Sequence, residues 1–436
     1  MLRWNEVSAD EQAAALMRPA VSASAKVEEI CQTIMANVKE QGDEALLDMA
    51  KQFDNRPSPR LLVPVEEINN AVQQLSPELK YAIDTAYANV KRFHQAQLPK
   101  DIQLTTQPGV LCELKYQAIE AVGIYVPGGS APLPSSVIMQ GVLAQLSGAK
   151  TVVLATPVQG DAHINPAILY AAKLCGINTI VESGGAGAIA AMAYGTGSVP
   201  KVNKIFGPGN SFVTMAKQLV AQTIPGMAID MPAGPSEVLV IADERANPEF
   251  IAADLLSQAE HGADSQVILL SNSELTIERT QQAIERQLTK LSRQDIAAQA
   301  LANSSLILVD SIDQAFDVSA QYGPEHLILQ LADANPYLAK VKNAGSVFVG
   351  DYTPESAGDY ASGTNHVLPT YGYSATYSSL NLLDFFRTYT VQTITQSGLK
   401  NLSKAILPLA DAEGLDAHAN AVNVRLEAMN RGNDNE

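Results

Sequence analysis

The stretch Glu237–Leu270 decides the fold, and its sequence is EVLVIADERANPEFIAADLLSQAEHGADSQVILL. Its two apolar runs, Glu237–Ile241 and Gln266–Leu270, have the length and composition of buried strands. Between them, Pro248–His261 has the apolar spacing of a helix. A strand, a helix and a second strand in this order predict a βαβ unit with parallel strands.

The end of this helix carries the first candidate functional residues. Asn247 can cap the start, Pro248 suits the first turn, and Gly262 suits a left-handed residue that closes the end. Gln258 and His261 are three residues apart, so they lie on one face and can reach one point beyond the helix. An imidazole nitrogen and an amide oxygen can both bind zinc or a similar ion. The pair is therefore either half of a metal site or a polar helix end that faces solvent.

Strands and helices alternate along most of the chain. This alternation predicts an α/β protein with two doubly wound, Rossmann-like domains, each a parallel sheet with helices on both faces. The first unit is predicted to contain strands Ile119–Val126, Thr151–Thr156, Asn178–Glu182 and Lys204–Phe206, and helices Ser136–Ser147, Asn165–Cys175, Ala186–Tyr194 and one from Asn210. The second unit adds helix Glu274–Leu291, strand Ser305–Val309, helix Ser311–Gln321, strand Leu327–Gln330, short helix Pro336–Asn343 and strand Ser346–Val349.

Two further segments complete the predicted organisation. The N-terminal segment is mainly helical, with helices Val27–Gln41, Asp43–Phe53 and Pro77–Gln97. A cleft between two α/β domains is the expected ligand site. The predicted domains are residues 1–117, the helical N-terminal segment; 118–228, the first α/β domain; 229–380, the second; and 381–436, a helical C-terminal arm.

Composition limits the classes of partner. The chain has 436 residues, 46% hydrophobic and 17% charged, with a net charge of −17 and no basic run. Such a charge argues against nucleic-acid and anionic-membrane partners, which require clusters of Lys and Arg. The N-terminus lacks an apolar signal core, and no apolar stretch approaches the ~18 residues of a membrane span, so we expect a cytoplasmic protein. The three widely separated cysteines predict reduced thiols rather than a disulfide framework.

Two glycine-rich loops follow strands of the first unit. They are Tyr125–Ser130 and Phe206–Ser211. Ligands of open α/β sheets bind outside the carboxyl ends of the strands, and glycine lets backbone N–H groups approach a phosphate. A dinucleotide could therefore lie at these loops. Neither loop is a G-x-G-x-x-G motif, so a purely structural role in tight turns stays open.

The remaining polar candidates cluster in the second half of the chain. Glu325 and His326 precede a strand, and the loop Ser356–His366 is small, polar and nearly uncharged. Glu413 and His418 lie five residues apart near the C-terminus. Histidine, carboxylate and amide side chains form a plausible metal set, although each histidine could equally be a surface residue. Four of the six histidines lie in such polar settings: His261, His326, His366 and His418.

Taken together, six motifs resemble the histidinol dehydrogenase family. They occur in the family's order and span nearly the whole chain. The family oxidises L-histidinol through L-histidinaldehyde to L-histidine with two NAD⁺, which is the last step of histidine biosynthesis. Its members are zinc-containing homodimers. The motifs are Gly123–Ser130, Lys204–Asn210, Asp230–Val238, Leu256–Gly262, Gly323–Leu327 and Ser356–His366.

The resemblance implies a role for each matching residue. One zinc ion per subunit would be bound, and L-histidinol would contact Ser236, Glu413, His326 and the metal-binding residues. Glu325 and His326 would be the acid/base pair, and Tyr125 and Asn210 would contact NAD. The implied zinc ligands are Gln258, His261, Asp359 and His418.

Two further implications concern the dimer and the cofactor. In the family the C-terminal segment crosses to the partner subunit, so Glu413 and His418 would complete the neighbour's site. Gly187 stands where the family usually has a glutamine that contacts NAD. The contact from that amide would be lost here, and we expect weaker NAD binding without a change in the chemistry.

The residue types suit a water-dependent oxidation. No cysteine is placed to form a covalent hemithioacetal, so water would capture the aldehyde. We expect His326, with an ordinary pKa near ~6.5, to take the alcohol and gem-diol protons while Glu325 activates the water. The reverse division of roles stays open. Neighbouring residues of an extended segment point to opposite faces, so a bend at Pro324 must bring the two together.

The implied metal has a positioning role. Histidinol offers an imidazole nitrogen and an amine as ligands, so zinc would act as a template for the substrate. Three alternatives remain: a related NAD-dependent dehydrogenase of another polar alcohol, a metal-dependent binding protein without turnover, and a structural α/β oligomer.

Overall fold

The computed structural model describes residues 1–19, 25–128, 132–160, 162–231 and 234–433. The chain forms two compact units. The first contains Met1–Gln97 and Ile119–Phe385, and the second contains Leu98–Ala118 and Phe386–Glu436.

The N-terminal segment is mostly helical, as predicted. Its longest helix, Pro77–Gln95, begins where the Ser76 hydroxyl accepts a hydrogen bond from Leu79 N–H. The predicted helical segment also contains three strands, because Leu2–Arg3 joins the sheet of the second α/β domain and two strands belong to the second compact unit. The elements are β1 (Leu2–Arg3), α1 (Ala9–Ala15), α2 (Ala25–Gln41), α3 (Asp43–Phe53), α4 (Val65–Asn70), α5 (Pro77–Gln95), β2 (Ile102–Gln107) and β3 (Val110–Ala118).

The first α/β domain is a parallel sheet, as predicted, with the short strand Ala228–Ile229 added to the four predicted strands. Its core is formed by small and branched apolar side chains such as Val153, Ile189 and Ile205, and helices from the N-terminal segment pack onto the same cluster. The elements are β4 (Ala121–Tyr125), α6 (Pro134–Ser147), β5 (Thr151–Thr156), α7 (Pro166–Leu174), β6 (Thr179–Glu182), α8 (Gly185–Tyr194), β7 (Lys204–Phe206), α9 (Ser211–Thr223) and β8 (Ala228–Ile229). The strand order is β6-β5-β4-β7-β8.

The second α/β domain is a six-stranded parallel sheet. Three central strands are buried along their whole length because helices cover both faces. Its elements are β9 (Glu237–Ala242), α10 (Pro248–Ala259), β10 (Gln266–Ser271), α11 (Glu274–Leu288), α12 (Gln294–Ala302), β11 (Ser305–Leu308), α13 (Ile312–Tyr322), β12 (His326–Gln330), β13 (Ser346–Val349) and α14 (Glu355–Tyr360). The strand order is β1-β11-β10-β9-β12-β13.

The end of α10 differs from its prediction. The Asn247 cap is confirmed, because its side-chain oxygen accepts from Glu249 N–H at 3.0 Å. The helix ends at Ala259 rather than His261. The predicted left-handed Gly262 is wrong, since its φ is not positive. The Gln258 carbonyl nevertheless accepts from His261 N–H at 3.2 Å, so one further turn keeps the two residues close.

The second compact unit combines an antiparallel sheet with two helices. Its strand order is β14-β3-β2, with β14 (Phe386–Ile394) paired along the whole length of β3. Helices α15 (Gln396–Ala412) and α16 (Asp416–Asn433) follow. The C-terminal arm therefore begins with a strand before it becomes helical. Most of α16 is exposed, as are apolar side chains on several elements of this unit: Ile102, Leu104, Tyr389, Ile394, Leu409, Leu415 and Val424.

Within the described ranges, no helix combines the length and apolar character that crossing a bilayer requires.

Candidate active site

The predicted catalytic pair, Glu325 and His326, lies at the amino end of one strand, beside the amino end of a neighbouring strand. His326 begins β12, Glu237 begins β9, and the two strands pair in parallel with His326 opposite Val238. Gln258 reaches this edge from the last turn of α10. Strand starts and the preceding helix ends share one edge of a parallel sheet, which is why these side chains converge. The first α/β domain instead has its glycine-rich loops at the carboxyl ends of its strands.

The backbone of Glu237 fixes the tautomer of His326. The Nδ1 atom of His326 lies 3.0 Å from the Glu237 carbonyl oxygen. A carbonyl oxygen only accepts, so Nδ1 carries a proton, and in the neutral ring Nε2 has the free lone pair. His326 is buried, and its Nε2 has no hydrogen-bond partner among the described residues. Asp359 Oδ1 lies 3.6 Å from this Nε2 atom. Nε2 is therefore the nitrogen available as a base.

Gln258 directs its side-chain oxygen into the site. Its Nε2 donates to the Glu237 carbonyl at 3.2 Å and to Glu325 Oε2 at 3.3 Å. The side chain is 0% exposed, and within the described part of the chain its Oε1 has no hydrogen-bond partner. Leaving a buried acceptor unsatisfied costs free energy, on the order of 1–3 kcal/mol. An amide oxygen held in this way fits a metal ligand.

Glu325 approaches His326 despite its neighbouring position in the chain. Glu325 Oε2 accepts from Glu237 N–H at 2.8 Å and lies 3.5 Å from His326 Nδ1. Because Glu325 precedes the strand and turns towards β9, both side chains face the same edge. Burial alone lowers the pKa of His326, but the adjacent Glu325 carboxylate outweighs it, and the pKa is raised well above its ordinary value. The ring therefore acts as a base only after its Nε2 proton has left.

Two other predicted metal ligands, His261 and Asp359, lie near this edge. Ser236 Oγ lies 3.5 Å from His261 Nδ1. Burial of the His261 ring lowers its pKa, although the residue as a whole is exposed. A neutral imidazole is the form that binds metal. Burial acts to raise the pKa of Asp359, but the adjacent His326 ring, whose Nε2 lies 3.6 Å from Asp359 Oδ1, outweighs it, so the pKa is lowered. Asp359 is then ionised, as a ligand must be.

Glu355 is a functional candidate that the sequence reasoning missed. It is 1% exposed, and neither carboxylate oxygen has a hydrogen-bond partner in the described ranges. His326, Glu355 and Asp359 each offer one ligand atom within 4.8 Å of the others. Burial raises the pKa of Glu355 well above its usual value. The available signal was its spacing, because Glu355 and Asp359 are four residues apart and share one face of α14.

His366 connects the polar loop to the first α/β domain. Its Nδ1 donates to the Asp359 carbonyl oxygen at 2.7 Å, and its Nε2 lies 3.3 Å from Ser136 Oγ at the start of α6. Burial lowers its pKa. The sequence had marked His366 as polar and loop-adjacent, and the structure gives it a role in orienting the Asp359 backbone.

The two predicted NAD contacts lie in the first α/β domain. The Tyr125 side chain is 4% exposed, and its hydroxyl oxygen accepts from Gly185 N–H at 3.2 Å. Asn210 caps α9, since its Oδ1 accepts from Phe212 and Val213 N–H groups at 3.1 Å each. Both residues thus organise helix starts, and their contact with NAD stays a prediction. Gly129 and Ser130 of the first loop lie outside the described residues.

Gly187 is a close-packed position. A Cβ atom placed there would lie 3.0 Å from the sulfur of Met49, a residue of α3. The family's glutamine would therefore need Met49 to move.

Glu413 and His418 belong to the second compact unit. Glu413 is the C-cap of α15, and His418 lies in the first turn of α16. Both side chains are exposed. Their predicted contribution to a site stays a prediction.

The cysteines supply no nucleophile. Cys31, Cys112 and Cys175 are free thiols, and burial raises the pKa of Cys175 to about 12. A thiol that resists ionisation is a poor nucleophile. The prediction of reduced, unreactive cysteines is confirmed for Cys31 and Cys175, which are buried.

A second group of potential ligands, Glu67, His163 and Glu182, is already occupied by cations. Arg56 pairs with Glu182 at 2.7 Å, and Arg60 pairs with Glu67 at 2.8 Å. The two guanidinium groups neutralise these carboxylates, so this cluster is an ion-pair network.

Comparison with known proteins identifies the family. Residues 17–426 match the family model described as histidinol dehydrogenase. The chain is 87% identical over 429 residues to histidinol dehydrogenase from Pseudoalteromonas translucida (strain TAC 125), covering 98% of this chain and 99% of the relative. It is 56% identical to the enzyme from Colwellia psychrerythraea, covering 98% of each. The crystal structure of histidinol dehydrogenase from Elizabethkingia anophelis superposes with a TM-score of 0.94 at 48% identity, covering 97% of each chain.

The chain belongs to the histidinol dehydrogenase family. Histidinol dehydrogenases are oxidoreductases of histidine biosynthesis, and they use NAD and zinc. The predicted family, α/β architecture and activity are thereby confirmed, and a purely structural oligomer is excluded. The unsatisfied Gln258 oxygen, the neutral His261 and the ionised Asp359 form a donor set that fits zinc.

Proposed function

We propose that this chain oxidises L-histidinol to L-histidine at the edge formed by β9, β12 and α10. Gln258, His261 and Asp359 would hold zinc, and His418 from the arm of a second copy would complete the ligand set. Ser236, His326 and Glu413 would contact the substrate together with the metal ligands. The observation that carries the proposal is the arrangement of His326, with Nδ1 held by Glu237 and Nε2 free beside Asp359.

Zinc and NAD have distinct tasks in this proposal. Zinc, when bound, supplies a positive centre that anchors the imidazole and amine nitrogens of histidinol. NAD, when bound near Tyr125 and Asn210, supplies the hydride acceptor for both oxidations.

The protein's own groups move the protons. In the first oxidation, His326 Nε2 takes the proton of the alcohol as the carbon loses hydride, which leaves the aldehyde. Glu325 then takes a proton from water as the water oxygen bonds to the aldehyde carbon, and His326 returns its proton to the former carbonyl oxygen, which gives the gem-diol. In the second oxidation, His326 takes a gem-diol proton as the carbon loses a second hydride, which leaves the carboxylic acid. His326 must release its first proton before this step.

Water is the nucleophile because the cysteines are unavailable. The pKa of Cys175 lies at about 12, and Cys31 is likewise buried. Glu325 is held by Glu237 N–H and Gln258 Nε2, which orients one carboxylate oxygen and leaves the other for the water.

Product stoichiometry tests this function. The zinc-loaded enzyme is mixed with L-histidinol and excess NAD⁺, and NADH absorbance and L-histidine are measured. We expect two NADH per histidinol. Absence of NADH at saturating NAD⁺ would reject the activity, and equal turnover of a simple polyol would favour a dehydrogenase of another alcohol.

Two variants separate the roles of the pair. Glu325→Gln is expected to yield about one NADH per histidinol, because hydration of the aldehyde is slowed while the first proton transfer is retained. His326→Gln is expected to slow both oxidations by about 10²–10⁴-fold. His163→Gln is the matched control, since His163 is exposed and remote from β12. A reversed pattern would assign the water to His326.

We also propose a homodimer with shared sites. Exposure of Glu413 and His418, and of the apolar side chains Leu415 and Val424 beside them in sequence, supports an arm that is covered by a second copy. Reduced cysteines and a dinucleotide cofactor favour the cytoplasm as the location.

A further inference from the structure

We propose that the buried ion pair between Arg18 and Glu237 positions the catalytic pair and the Gln258 ligand. Neither residue belongs to the predicted site. The inference rests on the proposed roles of Glu325, His326 and Gln258, and it assigns Arg18 and Glu237 as positioning residues.

The backbone of Glu237 is the shared partner of three functional side chains. Its N–H donates to Glu325 Oε2 at 2.8 Å. Its carbonyl oxygen accepts from His326 Nδ1 at 3.0 Å and from Gln258 Nε2 at 3.2 Å. The orientation of this single residue therefore sets the tautomer of His326, the direction of the Gln258 oxygen and the placement of the Glu325 carboxylate.

The side chain of Glu237 is held by a guanidinium fork. Glu237 is 1% exposed, and its Oε1 and Oε2 accept from Arg18 Nε at 2.5 Å and from Arg18 Nη2 at 2.9 Å. Tyr371 N–H also donates to Oε1 at 2.8 Å. A bidentate Arg–carboxylate pair fixes direction as well as distance. The carboxylate therefore cannot rotate without losing three hydrogen bonds.

Arg18 also binds the segment that leads into Glu325. It donates to the Tyr322 and Gly323 carbonyl oxygens at 2.8 and 3.2 Å, and its guanidinium lies 3.9 Å from the centroid of the Tyr322 ring. Tyr322 ends α13, and Glu325 follows three residues later. One side chain from the N-terminal segment thus ties the start of β9 to the approach to β12. The pairing of β12 with β9 begins at His326 and Val238, so Tyr322 and Gly323 lie before the first paired residues of these strands.

A purely structural pair would behave differently. Buried ion pairs contribute little net stability, yet removing one partner leaves an uncompensated charge. If the pair only stabilised the fold, its loss would reduce the amount of folded protein and leave the turnover of each folded molecule unchanged. If it positions the site, kcat falls in the molecules that stay folded, because small displacements at a reacting centre cost about 10²-fold in rate.

Three variants of the pair test the inference in the zinc-loaded, full-length enzyme. Glu237→Gln keeps the shape and backbone contacts and loses the charge, Arg18→Lys keeps the charge and loses the fork, and Arg18→Ala removes both. We expect kcat per zinc-loaded molecule to fall about 10- to 100-fold in Arg18→Ala and to recover in part in Arg18→Lys. The KM for NAD⁺ should stay unchanged, because its predicted contacts lie on the other sheet. A double variant that combines Arg18→Ala with Glu237→Gln should have a kcat no lower than that of the slower single variant, since the two residues act as one unit.

Arg3→Ala is the matched control. Arg3 pairs with Glu274 at 2.5 Å and also links the N-terminal segment to this domain, but the pair is exposed and remote from Glu237. Its kcat should equal that of the wild type. Wild-type kcat in all three Arg18 and Glu237 variants, with only a lower melting temperature, would overturn the inference.

A spectroscopic readout separates this inference from the proposed function. Side-chain ¹⁵N spectra, with the His326 signals assigned by their loss in His326→Gln, report which ring nitrogen is protonated. In the pH range in which the His326 ring is neutral, we expect Nδ1 protonation in the wild type and a mixture of tautomers in Arg18→Ala and Glu237→Gln. An inactive wild type would reject the function alone, whereas an unchanged His326 spectrum in both variants would reject the positioning role whatever the activity.

Discussion

Gln258 donates its side-chain N–H to the carbonyl oxygen of Glu237 at 3.2 Å, and this contact turns its own oxygen towards the site. The amide is buried, so its orientation is set by the two acceptors that its N–H groups meet, the Glu237 carbonyl oxygen and Glu325 Oε2. Because the oxygen finds no partner among the described residues, a bound cation is the natural way to satisfy it.

Replacement of Gln258 by leucine should therefore weaken zinc binding far more than it weakens folding. Gln258→Leu has a similar volume and removes an acceptor that is already unsatisfied, so we expect a change of about 1 kcal/mol in the unfolding free energy of the metal-free protein. Zinc affinity should fall by more than about ten-fold, because one ligand is lost. Competition with a chelator measures the affinity, and thermal unfolding of the metal-free protein measures the stability.

Gln299→Leu is a suitable control for that experiment, because Gln299 is exposed on α12 and touches none of the site residues. Equal zinc affinity in Gln258→Leu and the wild type would exclude Gln258 as a ligand.

Subunit mixing should show whether the C-terminal arm completes a neighbour's site. His261→Ala and His418→Ala are each expected to be inactive. If the sites are shared, each mixed dimer regains one site with both histidines, and random mixing should restore about one quarter of the wild-type activity. Activity after unfolding and refolding of the two variants together measures this recovery.

The matched control mixes His261→Ala with His326→Gln. Both residues belong to the same compact unit of one chain, so no combination of subunits restores a site if only the arm is exchanged. Recovery in this control, or none in the first mixture, would contradict a crossed arm.

Local pattern predicted the two parallel sheets because their strands are continuous apolar runs. Thr151–Thr156, Lys204–Phe206 and Ser346–Val349 were placed to the residue. The antiparallel sheet was missed because its strands are half-exposed and rich in Thr, Gln and Tyr, as in Phe386–Ile394. Phe386–Ile394 pairs with Val110–Ala118, a segment far away in the sequence. The spacing of apolar residues within one segment cannot predict such a pairing.

Residue type singled out three polar side chains that the structure brings together, and their roles stay predictions. Gln258, Glu325 and His326 converge at one edge of the sheet. The sequence could not indicate Glu237, because it acts through its backbone within an apolar strand pattern. It could not indicate Arg18 either, because the partner of a lone arginine depends on the tertiary fold.

Asp254 makes the stability of the protein depend on pH. Burial raises the pKa of this carboxyl, on α10 one turn before Gln258, to about 6. The unfolded value is ~3.9, so the folded state binds more protons between these values and stability falls as pH rises from about 4 to about 6. Above that range the charged carboxylate costs roughly 2–3 kcal/mol.

Asp254→Asn should therefore stabilise the protein at about pH 8 by up to ~2–3 kcal/mol, and by less than ~0.5 kcal/mol at about pH 4. The neighbouring Gln330 can adapt, because its Oε1 is an unsatisfied buried acceptor in the described ranges and can receive the new N–H after an amide flip. Denaturant unfolding at the two pH values measures the difference. An equal difference in unfolding free energy between Asp254→Asn and the wild type at both pH values would show that the Asp254 carboxyl does not titrate in this range.

The close packing of α3 against α8 should determine whether position 187 can accommodate glutamine, the residue that the family resemblance implies there. A Cβ at Gly187 meets the Met49 sulfur at 3.0 Å, so Gly187→Gln alone requires Met49 to move. Overpacking of this kind costs about 1–3 kcal/mol, partly offset by about 0.5–1 kcal/mol from replacing glycine in a helix. We expect a lower melting temperature and little gain in NAD⁺ binding in the single variant.

In Gly187→Gln with Met49→Ala, the melting temperature should recover and the KM for NAD⁺ should fall several-fold, because the amide then has room to reach the cofactor. Met49→Ala alone is the control and should leave the KM for NAD⁺ unchanged. An equal fall in KM with and without Met49→Ala would show that Met49 does not restrict this position.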